Sequence, residues 1–317
     1  MTVLGIDVGG TKIAAALFRE DGTILARHTS AIGGRAGREV GALIRETVAQ
    51  LTRSPAWREE APRALGAIIP GIYWSDRGRV WAPNIPGWED YPLLQELRTL
   101  AGERMAVAVD SDRAGYILGE AWLGAARGAR DAVFVAVGTG IGAGILVNGQ
   151  ILRGARDIAG ATGWMALDRP YRAGYREVGC FEYNASGPGI VRVARDYLAE
   201  EPELDGALTH LKEITTAAVF EAADVGDPLA VRVIENAIAF WGMAAANYVS
   251  LFDPEIVIFG GGVFGPAARY LDQIRQEALL WGQPISTPRV KLAVSTLGGD
   301  AGLIGAGHLA LRATTQG

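Results

Sequence analysis

The 317-residue chain has little of several things that decide function class. Cys180 is its one cysteine, which excludes an internal disulfide and suits a reducing compartment such as the cytosol. The three histidines, His28, His210 and His308, are scattered and form no metal-ligand cluster. There is no run of Lys and Arg, and the formal net charge is −5, so nucleic acid is not an expected partner. The opening MTVLGID lacks a basic segment before an apolar core, so no signal peptide is expected. One uncharged apolar run, 132–152, is long enough to suggest a membrane span. Gly138, Gly140, Gly142, Gly144, Asn148 and Gly149 break any helical face in it, so a buried hairpin is expected and no membrane partner. Neither a Walker P-loop nor a protein-kinase signature is present.

What is present is a large apolar content, 49% against 21% charged residues, enough for a soluble protein of two domains. The chain is organised around LGIDVGGTKIAAALF, residues 4–18. Two strand-like runs flank a turn in which Gly9 and Gly10 can take positive φ and let backbone N–H groups approach an anion. Thr11 adds a hydroxyl, Lys12 a positive charge, and Asp7 at the strand end could hold the hydration shell of Mg²⁺. A plain hairpin with a glycine turn has the same pattern. VFVAVGTGIGAGILV, residues 133–147, repeats the theme with Gly138, Thr139 and Gly140, and two such turns suit a phosphate cleft.

Along the chain, a strand is expected over 23–29, a helix over 37–52 and a buried strand over 64–70, which together suggest an α/β domain with a mixed sheet. A helix over 92–101 and a strand over 105–109 lead to Asp110-Ser111-Asp112, acidic residues where an α/β cleft opens. Helix capping by Ser111 or Asp112 of a helix over 113–124 is the alternative. Residues 169–179 look irregular, 188–198 helical, and Asp227-Pro228 starts a helix running to about residue 251, with Ile234, Ile238, Trp241, Ala245 and Tyr248 as its core stripe. A strand over 255–259 ends in a Gly260-Gly261-Gly262 turn suited to a nucleotide, and the last helix covers 301–312. Glycine turns with a strand-end carboxylate match phosphoryl transfer, in which phosphates are positioned and a carboxylate takes the hydroxyl proton.

The order of motifs resembles the ROK sugar kinases, within the actin-like, hexokinase-like ATPase fold. It rests on IDVGGTK (6–12), NIPGW (84–88), LGEAWLGAARG (118–128), VGTGIGAGILVNGQILRGA (137–155), GCFEYNASGPGI (179–190), FGGGVF (259–264) and DAGLIGAG (300–307). The resemblance implies a two-domain actin-like (ribonuclease H-like) fold with ATP and sugar in a cleft between the domains. The expected domains are residues 1–118, completed by the C-terminal helix at about 301–317, and residues 119–300. It implies Asp112 as the base, Asp7, Gly9, Gly10, Thr11, Lys12, Gly138, Thr139 and Gly140 on the ATP phosphates and metal side, and Gly261 and Gly262 near the adenosine. Asn84, Ser111, Asp112, Gly163, Trp164 and Glu182 fall on the sugar side. ATP with Mg²⁺ is the expected cofactor pair, and a cytoplasmic homodimer the expected state.

The departures from the family pattern bear on specificity. Ser111 stands where Asn is usual before the catalytic Asp, and the usual Glu-x-x-His motif falls on Ala161 and Trp164. The zinc loop falls on Ala173, Tyr175 and Cys180, and one thiolate cannot build a four-ligand site, so no structural zinc is expected. The loop at 169–179 is then expected to be held by packing and hydrogen bonds. Trp164 either stacks on an apolar sugar face or fills core where zinc and His would be. A kinase for a modified or different sugar is therefore expected over an ordinary glucokinase. The competing class is a catalytically weak sugar sensor. Against a repressor, the chain begins at its first strand, without a preceding helix-turn-helix.

Overall fold

The computed structural model describes residues 1–201 and 206–315. They form two compact units: Met1–Gly128 with Ile151–Ala159 and the chain from Thr296 onward, and Ala129–Gln150 with Gly160–Ser295.

The first unit opens with an antiparallel meander, β1 (Thr2–Val8), β2 (Lys12–Arg19) and β3 (Ile24–Ala31). Helices α1 (Arg38–Leu51) and α2 (Pro55–Glu59) lead to β4 (Ala64–Ile69), then a small hairpin, β5 (Ile72–Trp74) and β6 (Arg79–Trp81). Helix α3 (Leu93–Ala101), β7 (Ala106–Ser111) and α4 (Asp112–Leu123) follow. The sheet order is β3-β2-β1-β4-β7. Strands β1, β4 and β7 are parallel, and Asp7 aligns with Ile68 and Ile68 with Asp110, so their C-terminal ends share one edge.

Alternation along the strands sends side chains to opposite faces. Leu4, Ile6, Ile13 and Leu17 pack with Val40, Ile44 and Val48 of α1. Val3, Ala14, Ala16 and Phe18 pack with Leu303 and Ile304 of the C-terminal helix.

The second unit contains β8 (Ala132–Val137), β9 (Ile141–Val147), the short β10 (Gln150–Ile151), α5 (Tyr175–Val178), α6 (Cys180–Ala185) and α7 (Gly187–Glu200). Next come α8 (Thr216–Asp224), α9 (Pro228–Phe252), β11 (Ile256–Gly260), α10 (Leu271–Trp281) and β12 (Lys291–Val294). Its sheet order is β10-β9-β8-β11-β12, with β9 antiparallel to β8 and the β8-β11-β12 strands parallel. Helix α9 is long and apolar enough to cross a membrane, but Ile234, Trp241, Ala245 and Tyr248 are buried in the core of this unit. Its start is as expected: Asp227 caps it through the Ala230 N–H at 2.9 Å.

The chain then returns to the first unit as α11 (Ala301–Ala313). Several expectations are corrected. The first unit extends past residue 118 because α4 lies against α11 at glycines. A Cβ on Gly119 would stand 2.6 Å from the Ala301 carbonyl oxygen, and one on Gly305 would strike the Gly115 carbonyl. The expected domain end at 316–317 lies outside the described residues. Residues 169–179 are not wholly irregular but hold α5, and α6 follows directly. Helices α8 and α10 were unforeseen. In α10 only Ile274 and Ala278 are buried while Leu280 and Trp281 are exposed, so the apolar residues do not trace a clean stripe.

Candidate active site

At the C-terminal edge of the first unit's sheet, three carboxylates separate by environment. Asp112 is the first residue of α4, and its Oδ1 accepts the Arg113 N–H at 2.8 Å. The residue is half-buried. Burial lifts its pKa to about 6, against the opposing pull of the Arg113 charge and N–H. Asp7 is also raised to about 6, by burial first and then by the charge of Asp112. Tyr116, one turn along α4, is pushed up by burial and by both carboxylates. Asp110 differs: its Oδ2 accepts Arg153 Nε at 3.0 Å and Nη2 at 2.5 Å, and its Oδ1 accepts the Ser111 N–H. Ser111 is buried, and its Oγ accepts the Ala114 N–H at 3.3 Å. The capping alternative therefore holds for Ser111, whose hydroxyl is turned to its own helix rather than outward.

The turn between β1 and β2 leaves Gly10, Thr11 and Lys12 exposed. Neither Gly9 nor Gly10 takes positive φ, contrary to expectation, and the Gly9 N–H donates to the Lys12 carbonyl at 2.9 Å. That N–H closes the turn and is spent. What Gly10 contributes is the lack of a side chain: a Cβ there would stand 3.3 Å from Asn84 Cβ, so Asn84 lies beside the turn.

In the second unit, the Gly138 N–H closes the other turn on the Gly140 carbonyl at 3.0 Å. The Gly138 carbonyl accepts the Gly187 N–H at 2.9 Å from the start of α7, and Thr216 Oγ1 donates to the Gly187 carbonyl at 2.8 Å. Gly261, with φ +90°, sets its own backbone against Val137, where a Cβ would come 2.4 Å from the carbonyl oxygen. The 138–140 turn, the N-terminus of α7 and the start of the 261–262 turn thus meet. Gly187 and Thr216 were not foreseen as site residues; the signal for the first was the Ser186-Gly187-Pro188 start of α7, where Ser186 Oγ caps the Gly189 N–H at 3.0 Å. Glu182 Oε2 accepts the Ile141 N–H at 2.7 Å, while burial pushes its carboxyl upward. A Cβ on Gly140 would stand 2.8 Å from that oxygen, and one on Gly163 at 3.0 Å.

A family model described as the ROK family matches residues 3–313. The chain belongs to the ROK family. It is 34% identical to a glucokinase of Halalkalibacterium halodurans over 96% of this chain and 94% of that one. A ROK hexokinase of Thermus thermophilus superposes with TM-score 0.82, at 30% identity, over the full length of both chains. A ROK glucokinase of Streptomyces griseus, solved with glucose and AMPPNP, superposes with TM-score 0.75 at 31% identity over 98% of this chain and all of that one. This ROK chain has the actin-like ATPase fold of these neighbours.

Residues 161–180 of this ROK protein, where the zinc and sugar motifs were expected to be missing, form a hydrogen-bonded aromatic group. Among the described residues no three His, Cys, Asp or Glu side chains gather as a metal site. Tyr175 donates to Asp168 Oδ2 at 3.2 Å, Asn184 Nδ2 donates to the Tyr175 hydroxyl at 3.3 Å, and the Tyr175 ring meets Tyr171 and Tyr183 edge-on. Trp164 is not core: it is 55% exposed. It lines a cavity of about 490 Å³ with Tyr171, Tyr175, Asp168, Arg169 and Arg176.

Proposed function

We propose that this protein is a sugar kinase, transferring the γ-phosphoryl group of ATP to a hydroxyl of a sugar or sugar-like polyol. The observation that carries the reading is Asp112, a half-buried carboxylate at the first position of α4 with no ion-pair partner among the described residues. The sugar oxygen attacks the γ-phosphorus, the bond to the bridging oxygen of ADP breaks, and the hydroxyl proton passes to Asp112. With a pKa of about 6, Asp112 is ionised near neutral pH and still basic enough to accept that proton.

Asp7 and Asp112 make an under-neutralised carboxylate pair, which fits a divalent cation nearby. Asp7 would hold the water shell of Mg²⁺, whose charge offsets that of the phosphates. Lys12, with its positive charge, and the 138–140 turn beside the positive dipole end of α7 suit the phosphates. Glu182 and Asn84 suit sugar hydroxyls. The relatives named as glucokinases and a hexokinase support this reaction class.

The test is a coupled ADP-release screen over hexoses, amino sugars, deoxy sugars and cyclitols. Turnover of at least one, falling by roughly 10²–10⁴-fold in Asp112→Asn, is expected. A sugar that binds yet is never phosphorylated would favour a sensor.

A further inference from the structure

The cavity beside Trp164 is unlike a packed remnant. Trp164 is 55% and Tyr171 70% exposed, in a protein whose Trp88 and Trp241 are both fully buried. Large aromatic rings left in water around a concavity are a ligand-site pattern, because their burial is deferred until something covers them. The rim is polar: Asp168 carries the Tyr175 hydroxyl, and neither Arg169 nor Arg176 makes an ion pair among the described residues. A purely apolar group would cover the rings but leave these charges without partners. A pyranose ring suits both, with C–H groups on its faces and hydroxyls around its edge.

The cavity also adjoins the sugar-side carboxylate within the same unit. Gly179, on its wall, approaches so closely that a Cβ there would lie 2.6 Å from Trp164 Cα and 2.3 Å from the Gly163 carbonyl oxygen. Gly163 in turn lies against Glu182, where its Cβ would stand 3.0 Å from the Glu182 Cβ.

We infer that this cavity is a subsite for a second saccharide ring, so that the acceptor is a glycoside of at least two sugar units. The inference rests on the sugar-kinase reading for what happens at Glu182 and Asp112, but the subsite itself is a binding statement. Trp164 supplies the stacking face, Tyr171 a second wall, and Asp168 with the two arginines the hydroxyl partners.

The experiment compares glucose with glucose disaccharides of different linkage and with phenyl glucoside, by calorimetric binding and by ADP release. The variants are Trp164→Ala, Trp164→Phe and Tyr171→Ala, each checked by its melting curve. At least one disaccharide is expected to bind about tenfold more tightly than glucose, the scale of one good aromatic contact. Trp164→Ala should bring that ratio close to one, Trp164→Phe should keep most of it, and Tyr171→Ala should lower it in part. The inference is overturned if every disaccharide binds no better than glucose, if the ratio survives Trp164→Ala, or if phenyl glucoside alone gains, which would mark an apolar aglycone pocket. Trp164-dependent disaccharide binding without any ADP release keeps the subsite and removes the kinase reading. Glucose turnover with no disaccharide preference does the reverse.

Discussion

Arg153 grips Asp110 through two nitrogens, Nη2 at 2.5 Å and Nε at 3.0 Å from the same carboxylate oxygen. Asp110 is 7% exposed at its side chain, and Arg153 is 42% exposed. Of two carboxylates separated by one residue, this contact ties Asp110 to Arg153, while Asp112 accepts the Arg113 N–H at the start of α4.

Arg153→Ala is therefore expected to destabilise the fold by about 3 kcal/mol, because it strands a buried anion. The Asp110 pKa, already raised by burial, would rise further. A folded-state pKa above the unfolded one gives stability that is present at low pH and lost as pH rises through the folded value. The variant's deficit in urea denaturation should thus shrink on acidification. A deficit that is absent, or that grows as pH falls, would show that the pair does not hold the segment.

Asp112 and Asp7, both at about 6, set a second pH dependence. kcat/KM should fall as pH drops through about 6, as Asp112 takes up the proton that disables it as a base. For stability the sign is opposite, since each raised carboxylate disfavours the fold once it is ionised. In the absence of nucleotide, Asp112→Asn should leave the melting temperature unchanged or raise it at about pH 8, and lose that gain below about pH 4. A clear drop in stability at the higher pH would mean that the Asp112 charge is favourably partnered.

The second glycine turn offers two positions that answer different questions. No atom lies within 4 Å of where a Cβ on Gly138 would stand, whereas one on Gly140 would meet Glu182 Oε2 at 2.8 Å. Gly138→Ala should weaken ATP binding with little change in melting temperature. Gly140→Ala should disturb Glu182 and weaken sugar binding as well. Calorimetric titrations of ATP and of the best sugar against both variants separate the two effects, and identical losses would refute the assignment.

Cys180 is buried among apolar residues of the second unit's core, and Tyr175 takes part in a hydrogen-bonded aromatic group. Elemental analysis of the purified protein should find less than one zinc per chain, and EDTA should leave the melting temperature unchanged. One tightly held zinc per chain would overturn the reading of residues 169–180.

Much was legible in sequence because it is written in local periodicity and composition. The two apolar hairpins, the apolar stripe of α9 behind its Asp227-Pro228 start, and the strand ending at Asp110-Ser111-Asp112 depend on neighbours a few residues apart. The glycine-turn motifs, with their spacing, likewise carried the family and the set of candidate residues.

Only tertiary structure decided what each of those residues can do. Asp110 and Asp112 look alike in sequence, and an arginine 43 positions away separates them. The Gly9 and Gly138 N–H groups close their own turns on the Lys12 and Gly140 carbonyls, a commitment the glycine spacing does not show. Trp164 could equally have been core, and it stands 55% exposed on a cavity it lines with Tyr171 and Tyr175. Periodicity reports which side of an element faces inward. Charge state, hydrogen-bond commitment and solvent exposure depend on partners brought from distant parts of the chain, and no local pattern encodes them.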